Sequence, residues 1–185
     1  MLKELPAAAM DPVAPVLNPR RGAIHSIASA RRQRSRRPVS PTDIRVLLVG
    51  SHALGRAGLG RLLEDDAGVA VIGEAASSRE AAELLPATAP DVVLLDAGWR
   101  EPDPAACTRL LAGRVAVLLL TDCEADDRLH AAIRAGAAGV LALDSHPAQL
   151  ASAVRTLAGG GALLPPRTAR RLIRELADLT PNPTR

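Results

Sequence analysis

The sequence predicts a doubly wound α/β domain on a five-stranded parallel sheet, and three observations carry that prediction. Five short segments are apolar on both faces, as strands buried in a parallel sheet must be. A segment of helical period follows each of them. The strand–helix pair therefore repeats five times, and parallel neighbours require a crossover of that kind. At 185 residues the chain is long enough for one such domain with extensions.

The first strand is Ile44–Val49, and the helix after it, Leu54–Asp65, places Leu59, Leu62 and Leu63 on one face. Val69–Glu74 precedes a helix over Ser78–Leu85, for which Ser78 offers an N-cap hydroxyl. Val92–Leu95 precedes Pro104–Leu111, and Val115–Leu120 precedes Asp126–Ala135. Val140–Leu143 leads into Pro147–Leu157, which opens on proline, repeats Leu150, Val154 and Leu157, and stops at Gly159–Gly161. A sixth helix, about Arg167–Leu179, carries an apolar stripe of Leu172, Ile173, Leu176 and Leu179 among Arg167, Arg170, Arg171 and Arg174. Such a stripe packs on the domain, pairs with a second copy, or marks a former connection to another domain.

Residues 1–42 hold six prolines and no hydrophobic period, the composition of a disordered tail. Lys3 and seven arginines against Glu4 and Asp11 make this tail +6, while residues 43–185, with 15 Arg against 18 acids, are −3. The basic character belongs to the tail. Its Arg31–Arg37 run reads as a solvated segment, or as a contact to nucleic acid or anionic surfaces without sequence preference. A translation start at Val39 is a further alternative for these residues. The expected division is a tail over 1–42, a domain over 43–160, and a C-terminal helix with a short tail over 161–185.

Absences narrow the chemistry. Lys3 is the only lysine, Tyr and Phe are missing, and Trp99 is the only aromatic residue. Lysine-dependent P-loop chemistry and base stacking on aromatic platforms are thereby excluded. Cys107 and Cys123 form no CxxC or Cys/His cluster and read as small core residues in a reducing, cytoplasmic compartment. No run approaches the 18 or so apolar residues of a membrane span, and no secretory signal is recognisable.

Ligands of doubly wound sheets bind beyond the carboxyl ends of the strands, where the strand order switches. Gly50, Ser51 and His52 stand there after the first strand, Glu74 after the second and Asp96 after the third. Thr121 and Asp122 follow the fourth, and Asp144 follows the fifth. One reading is a dinucleotide-binding enzyme, with Val49–Gly55 as the strand-to-helix turn and Glu74 as the acid for a ribose. His52 sits where that fingerprint needs its middle glycine, and no Gly-Lys-Ser/Thr is present.

The other reading rests on ordered stretches: Ile44–Val49, Val71–Ala75, Pro90–Asp96, Leu118–Thr121, Ala132–Gly139 and Gly159–Leu164. Over residues 43–179 the chain resembles the receiver domain of bacterial response regulators of the NarL/LuxR type. The resemblance implies the flavodoxin-like receiver fold, with strand order 2-1-3-4-5 and a C-terminal amphipathic helix. It implies a part in two-component phosphorelay signalling and transcription regulation, and not an enzyme's role. By position it makes Asp96 the phosphoacceptor and Thr121 the hydroxyl that contacts the phosphoryl oxygens.

Four positions depart from that pattern. Gly50 and Ser51 replace the acidic pair that holds Mg²⁺, Leu143 replaces the lysine, and Val140 replaces the aromatic switch residue. Phosphoryl transfer is mostly positioning and electrostatic stabilisation, so these losses remove most of the catalyst. Mg²⁺ binding is expected to be weak or absent, no cofactor or metal ligand set is assigned, and phosphorylation of Asp96 should be slow or lost. A rearranged ligand set with Asp122 and Asp144 is the alternative.

Each of these residues also has a plainer role. Asp96 and Thr121 serve equally as caps of their turns. His52 reads as a packing or capping residue before a ligand, and Trp99 as a contact for a ligand or partner or as a half-buried packing residue. The expected partners are a histidine kinase or another signalling protein, and a second copy through the helix 4–strand 5–helix 5 face or the last helix. The family's helix-turn-helix domain is not recognisable after Leu179, so no sequence-specific DNA binding is expected. A receiver that responds to a small molecule, and a remnant without function, are the remaining alternatives.

Overall fold

In the computed structural model, residues 38–97, 103–122 and 127–179 are described. The elements in chain order are β1 (Ile44–Val49), α1 (Ala53–Glu64), β2 (Val69–Ala75), α2 (Ser78–Thr88), β3 (Val92–Asp96) and α3 (Pro104–Leu111). They continue with β4 (Ala116–Thr121), α4 (Asp127–Arg134), β5 (Gly139–Ala142), α5 (Pro147–Ala158) and α6 (Pro166–Leu179). All strand pairs are parallel, and the sheet order is β2-β1-β3-β4-β5. This is the five-stranded, doubly wound, flavodoxin-like receiver architecture expected from the sequence, with the C-terminal helix present.

Strand residues alternate between two cores. Leu47, Val49, Val93, Leu95, Val117, Leu119 and Val140 face α2, α3 and α4, where Ala81, Leu85, Leu111, Leu129 and Ala132 meet them. Val46, Leu48, Leu94, Leu118 and Leu120 face α1 and α5, against Leu63, Leu150, Val154 and Leu157. Burying each Leu or Val contributes about 1.5–3 kcal/mol, and both faces are covered, which is why the strands show no polar alternation.

Several elements differ from expectation at their edges. In α1, Leu63 is buried while Leu62 is exposed, and Gly60 takes the inward position instead. The N-cap of α2 is Ser77 and not Ser78: the Ser77 hydroxyl accepts from the Glu80 N–H, and the Glu80 carboxylate accepts from the Ala76 N–H. Ser78 is buried, with its hydroxyl 3.2 Å from the Cys107 sulfur. The same helix runs through Pro86 to Thr88 and ends on Ala89 in the left-handed region at φ 40°. α5 is capped by His146, whose Nδ1 accepts from Ala148 N–H while the Gln149 side chain accepts from the His146 N–H.

After α5 the chain returns along the outer edge of β5. Val140 N–H donates to the Leu163 carbonyl at 2.8 Å, and Leu163 N–H donates to the Ala138 carbonyl at 3.2 Å. The exposed row of an edge strand is thereby partly covered. Leu163 and Leu164 pack against the two cores. In α6 the expected stripe divides: Leu172 is half-buried, but Ile173 and Leu176 are 65% and 64% exposed. The tail over 1–37, Trp99, Cys123, Asp126 and the Leu179 side chain lie outside the description. Among the described residues no helix is long and apolar enough to cross a membrane.

Candidate functional site

The strand order reverses between β1 and β3, so the crevice of the sheet opens beyond their carboxyl ends. Val49 and Leu95 are register partners there, which brings Gly50 and Asp96 together. Asp96 is the last residue of β3, paired with Leu120 of β4. Its side chain lies over Gly50: a Cβ added to that glycine would stand 3.0 Å from the Asp96 Cβ and 3.5 Å from Oδ2. A Cβ on Gly55, in the first turn of α1, would also stand 3.5 Å from Oδ2. Two missing side chains thus give the Asp96 carboxylate its place beside the positive end of α1, whose first turn holds no acid of its own.

The turn between β1 and α1 is tied down by Arg56. Its Nε donates to Glu74 Oε2 at 3.0 Å, and NH1 donates to the Gly50 carbonyl. The side chains are only 14% and 13% exposed, so the pair is largely withdrawn from water. The second Glu74 oxygen is buried and has no hydrogen-bond partner among the described residues. Glu74, the acid the dinucleotide reading required for a ribose, is therefore held by a guanidinium.

The other expected residues are placed as follows. Ser51 is exposed, with Oγ 3.3 Å from His52 Nδ1. His52 occupies the N-cap position of α1; its side chain makes no cap bond and is exposed. Thr121 is buried at the end of β4, opposite Ala142, and its carbonyl accepts from Leu143 N–H at 2.8 Å. Val140 is 2% exposed and belongs to the core under α2–α4, whereas Leu143 is 52% exposed beyond β5. Asp122 and Asp144 are exposed. Among the described residues no group of three or more His, Cys, Asp or Glu side chains converges as metal ligands do.

Arg56 was not legible as a site residue. It lies 18 residues from Glu74, and only the strand order puts β2 beside the end of β1.

Comparison with known proteins agrees with this geometry. The family model of the response regulator receiver domain matches residues 46–155. The chain is 32% identical over 136 residues to the transcriptional regulatory protein LiaR of Bacillus subtilis, covering 72% of this chain and 64% of LiaR. It is 36% identical over 136 residues to the DNA-binding transcriptional activator DevR/DosR of Mycobacterium tuberculosis, covering 72% of this chain and 63% of the relative. It therefore spans less than two thirds of the length of these relatives. Among solved structures, a LuxR-family two-component response regulator from an Aurantimonas species superposes with TM-score 0.63 at 31% identity, over 73% of this chain and 99% of that one. A LuxR-family DNA-binding response regulator from Silicibacter pomeroyi gives 0.56 at 30% identity, over 66% and 98%. With its sheet order, its switch-point aspartate and these likenesses, the chain belongs to the response regulator receiver family of two-component signalling, in its NarL/LuxR-type branch.

Proposed function

We propose that this chain is an atypical receiver that signals by protein contact, with Asp96 as a vestigial or inefficient phosphoacceptor. The observation that carries the reading is the seat of Asp96 against Gly50, a position that has no side chain to offer a cation. Magnesium usually takes one or two carboxylates in near-octahedral oxygen geometry. Here Asp96 stands with a glycine, whose carbonyl is engaged by Arg56, and with Ser51, whose hydroxyl lies beside His52. These residues do not fit the ion.

The rest of the catalytic apparatus is weakened in the same direction. Leu143 extends an apolar side chain where a cation would neutralise a transferred phosphoryl group. Val140, packed in the core, has no aromatic ring to swing between positions. Metal stabilisation is worth several kcal/mol, and each 1.36 kcal/mol or so is tenfold in rate. Transfer to Asp96 is orders of magnitude slower than an intact metal site would allow. Thr121 keeps the position of a phosphoryl-contacting hydroxyl, and a histidine kinase or another signalling protein is the proposed partner.

Intact-mass measurement after incubation with Mg²⁺ and an acyl phosphate donor tests this. The expected chain remains unmodified over an hour. Stoichiometric phosphorylation within minutes, lost in Asp96→Asn, would overturn the reading.

A further inference from the structure

Helix α6 reaches α4 through charged and polar side chains. His130, nine-tenths buried in α4, places Nε2 2.9 Å from one Glu175 oxygen and 3.0 Å from the other. Arg134, one turn further along α4, stands 3.6 Å from Glu175. At the start of α4, Asp127 accepts from Arg171 NH1 at 3.0 Å. Asp127, His130 and Arg134 thus make a row along α4, acid at one end and bases toward the other. Arg171 and Glu175, one turn apart in α6, answer that row in the matching order, and Arg171 also reaches Glu175 at 3.4 Å.

The charged groups described at this contact, His130 apart, are mostly exposed. Within α6, Thr168 is buried and Leu172 half-buried, while Ile173 and Leu176 are largely exposed. Ion pairs as exposed as Arg171–Asp127 stabilise little, and His130 is the buried member of the cluster. The helix hangs from the domain through Pro165 and Pro166, after a strand-edge segment that stays zipped to β5. A helix so attached is held by polar contacts that any identical helix can reproduce.

We propose that α6 is an exchangeable strap: the α4 face it fills within one chain is a docking site for the α6 of a second copy. The recognition chemistry is directional, an arginine for Asp127 and a glutamate for His130 and Arg134. α6 satisfies it by construction, and exchange of an identical element is a low-cost route from monomer to dimer. The strap also covers α4, so a copy whose α6 has been taken up by its partner has an open α4 face until it receives α6 in return. Exchange is therefore reciprocal.

Charge reversal separates the two faces in the full chain. One variant reverses α6 (Arg171→Glu with Glu175→Arg), a second reverses α4 (Asp127→Arg with Arg134→Glu), and a third combines all four changes. Hydrogen–deuterium exchange of the α6 amides should rise at least ~5-fold in each two-site variant and fall at least ~3-fold from that level in the combined one, in which the Asp127 and Arg134 contacts are rematched but His130 has lost its glutamate. Native mass spectrometry of the two-site variants mixed in equal amounts should show a heterodimer, because two matched contacts form only across chains, with far less dimer in either alone. Unchanged α6 exchange in the two-site variants overturns the strap. Failure of the combined variant to restore protection overturns its charge recognition, and a mixture that stays monomeric overturns the exchange. Sheet amides such as those of Leu94 and Leu118, protected alike in all four proteins, show that the fold is intact throughout.

Discussion

Replacing Glu74 by alanine tests how the β1–α1 turn is held beside Asp96. The change removes the carboxylate that accepts from Arg56 Nε at 3.0 Å and leaves the guanidinium bound to the Gly50 carbonyl alone. Breaking a buried ion pair from one side costs about 3–5 kcal/mol, because the remaining charge stays withdrawn from water. Here both side chains retain some exposure, 14% and 13%, and one Glu74 oxygen already lacks a partner among the described residues. The loss should therefore fall below that range, at about 2–3 kcal/mol. At about 2–4 °C per kcal/mol for a chain of this size, the midpoint of thermal unfolding drops by roughly 5–10 °C. Removing both charges together, in Arg56→Met with Glu74→Leu, leaves no orphan and should come within about 1 kcal/mol of wild type. Urea unfolding of wild type, Arg56→Met, Glu74→Leu and this double variant completes the cycle, with Glu74→Ala measured beside it. A Glu74→Ala variant within about 0.5 kcal/mol of wild type, or single losses that simply add in the double variant, would refute the reasoning.

Three further outcomes follow from the same structure. Gly50→Ala puts a Cβ 3.0 Å from that of Asp96 and should cost about 1–3 kcal/mol in urea unfolding, as overpacking does, whereas a neutral result would mean that Asp96 is free to move aside. Ser77→Ala removes the α2 cap and should cost about 1 kcal/mol by the same measurement. Partial burial acts to raise the Glu175 pKa, but the hydrogen bond and charge of His130, the hydrogen bond of Arg171 and the charge of Arg134 outweigh it and hold the carboxyl below its usual value. Its contribution is present above the unfolded pKa and lost as pH falls through the lower folded one, with Asp127 the remaining charged group in the cluster. Protection of the α6 amides should therefore persist from about pH 7 to about pH 5 and fail only below the ordinary carboxylate range; loss already at about pH 5 would contradict this.

The parts of the fold that were legible are those where local pattern and tertiary burial agree. Strands apolar on both faces lie within a residue or two of their expected limits, because a two-sided core allows no polar alternation. The N-cap of α2 was not legible, since Ser77 and Ser78 are equivalent in sequence and only the backbone decides which hydroxyl meets the Glu80 N–H. Pro86 did not end its helix, because it stands near the C-terminal end, where a missing N–H and a local distortion are tolerated. The α6 stripe split because a helix resting on one neighbour turns only one arc inward, and polar pairs to α4 rather than apolar area chose that arc. At the site, the positions of Gly50, Asp96 and Thr121 followed from strand ends, while Val140 and Leu143 were singled out by the family resemblance alone. The Arg56–Glu74 and His130–Glu175 pairs, 18 and 45 residues apart, needed the folded chain to bring them together.

Trp99 fluorescence under titration with Mg²⁺, and then with a beryllofluoride phosphate mimic, tests the atypical site most directly. The ring stands three residues beyond Asp96 in sequence and is the only tryptophan, so any signal reports from this part of the chain. The account predicts no saturable change at millimolar Mg²⁺ with or without the mimic, and identical traces for wild type and Asp96→Asn. Saturable quenching at millimolar Mg²⁺ that disappears in Asp96→Asn would show a working metal site and contradict it.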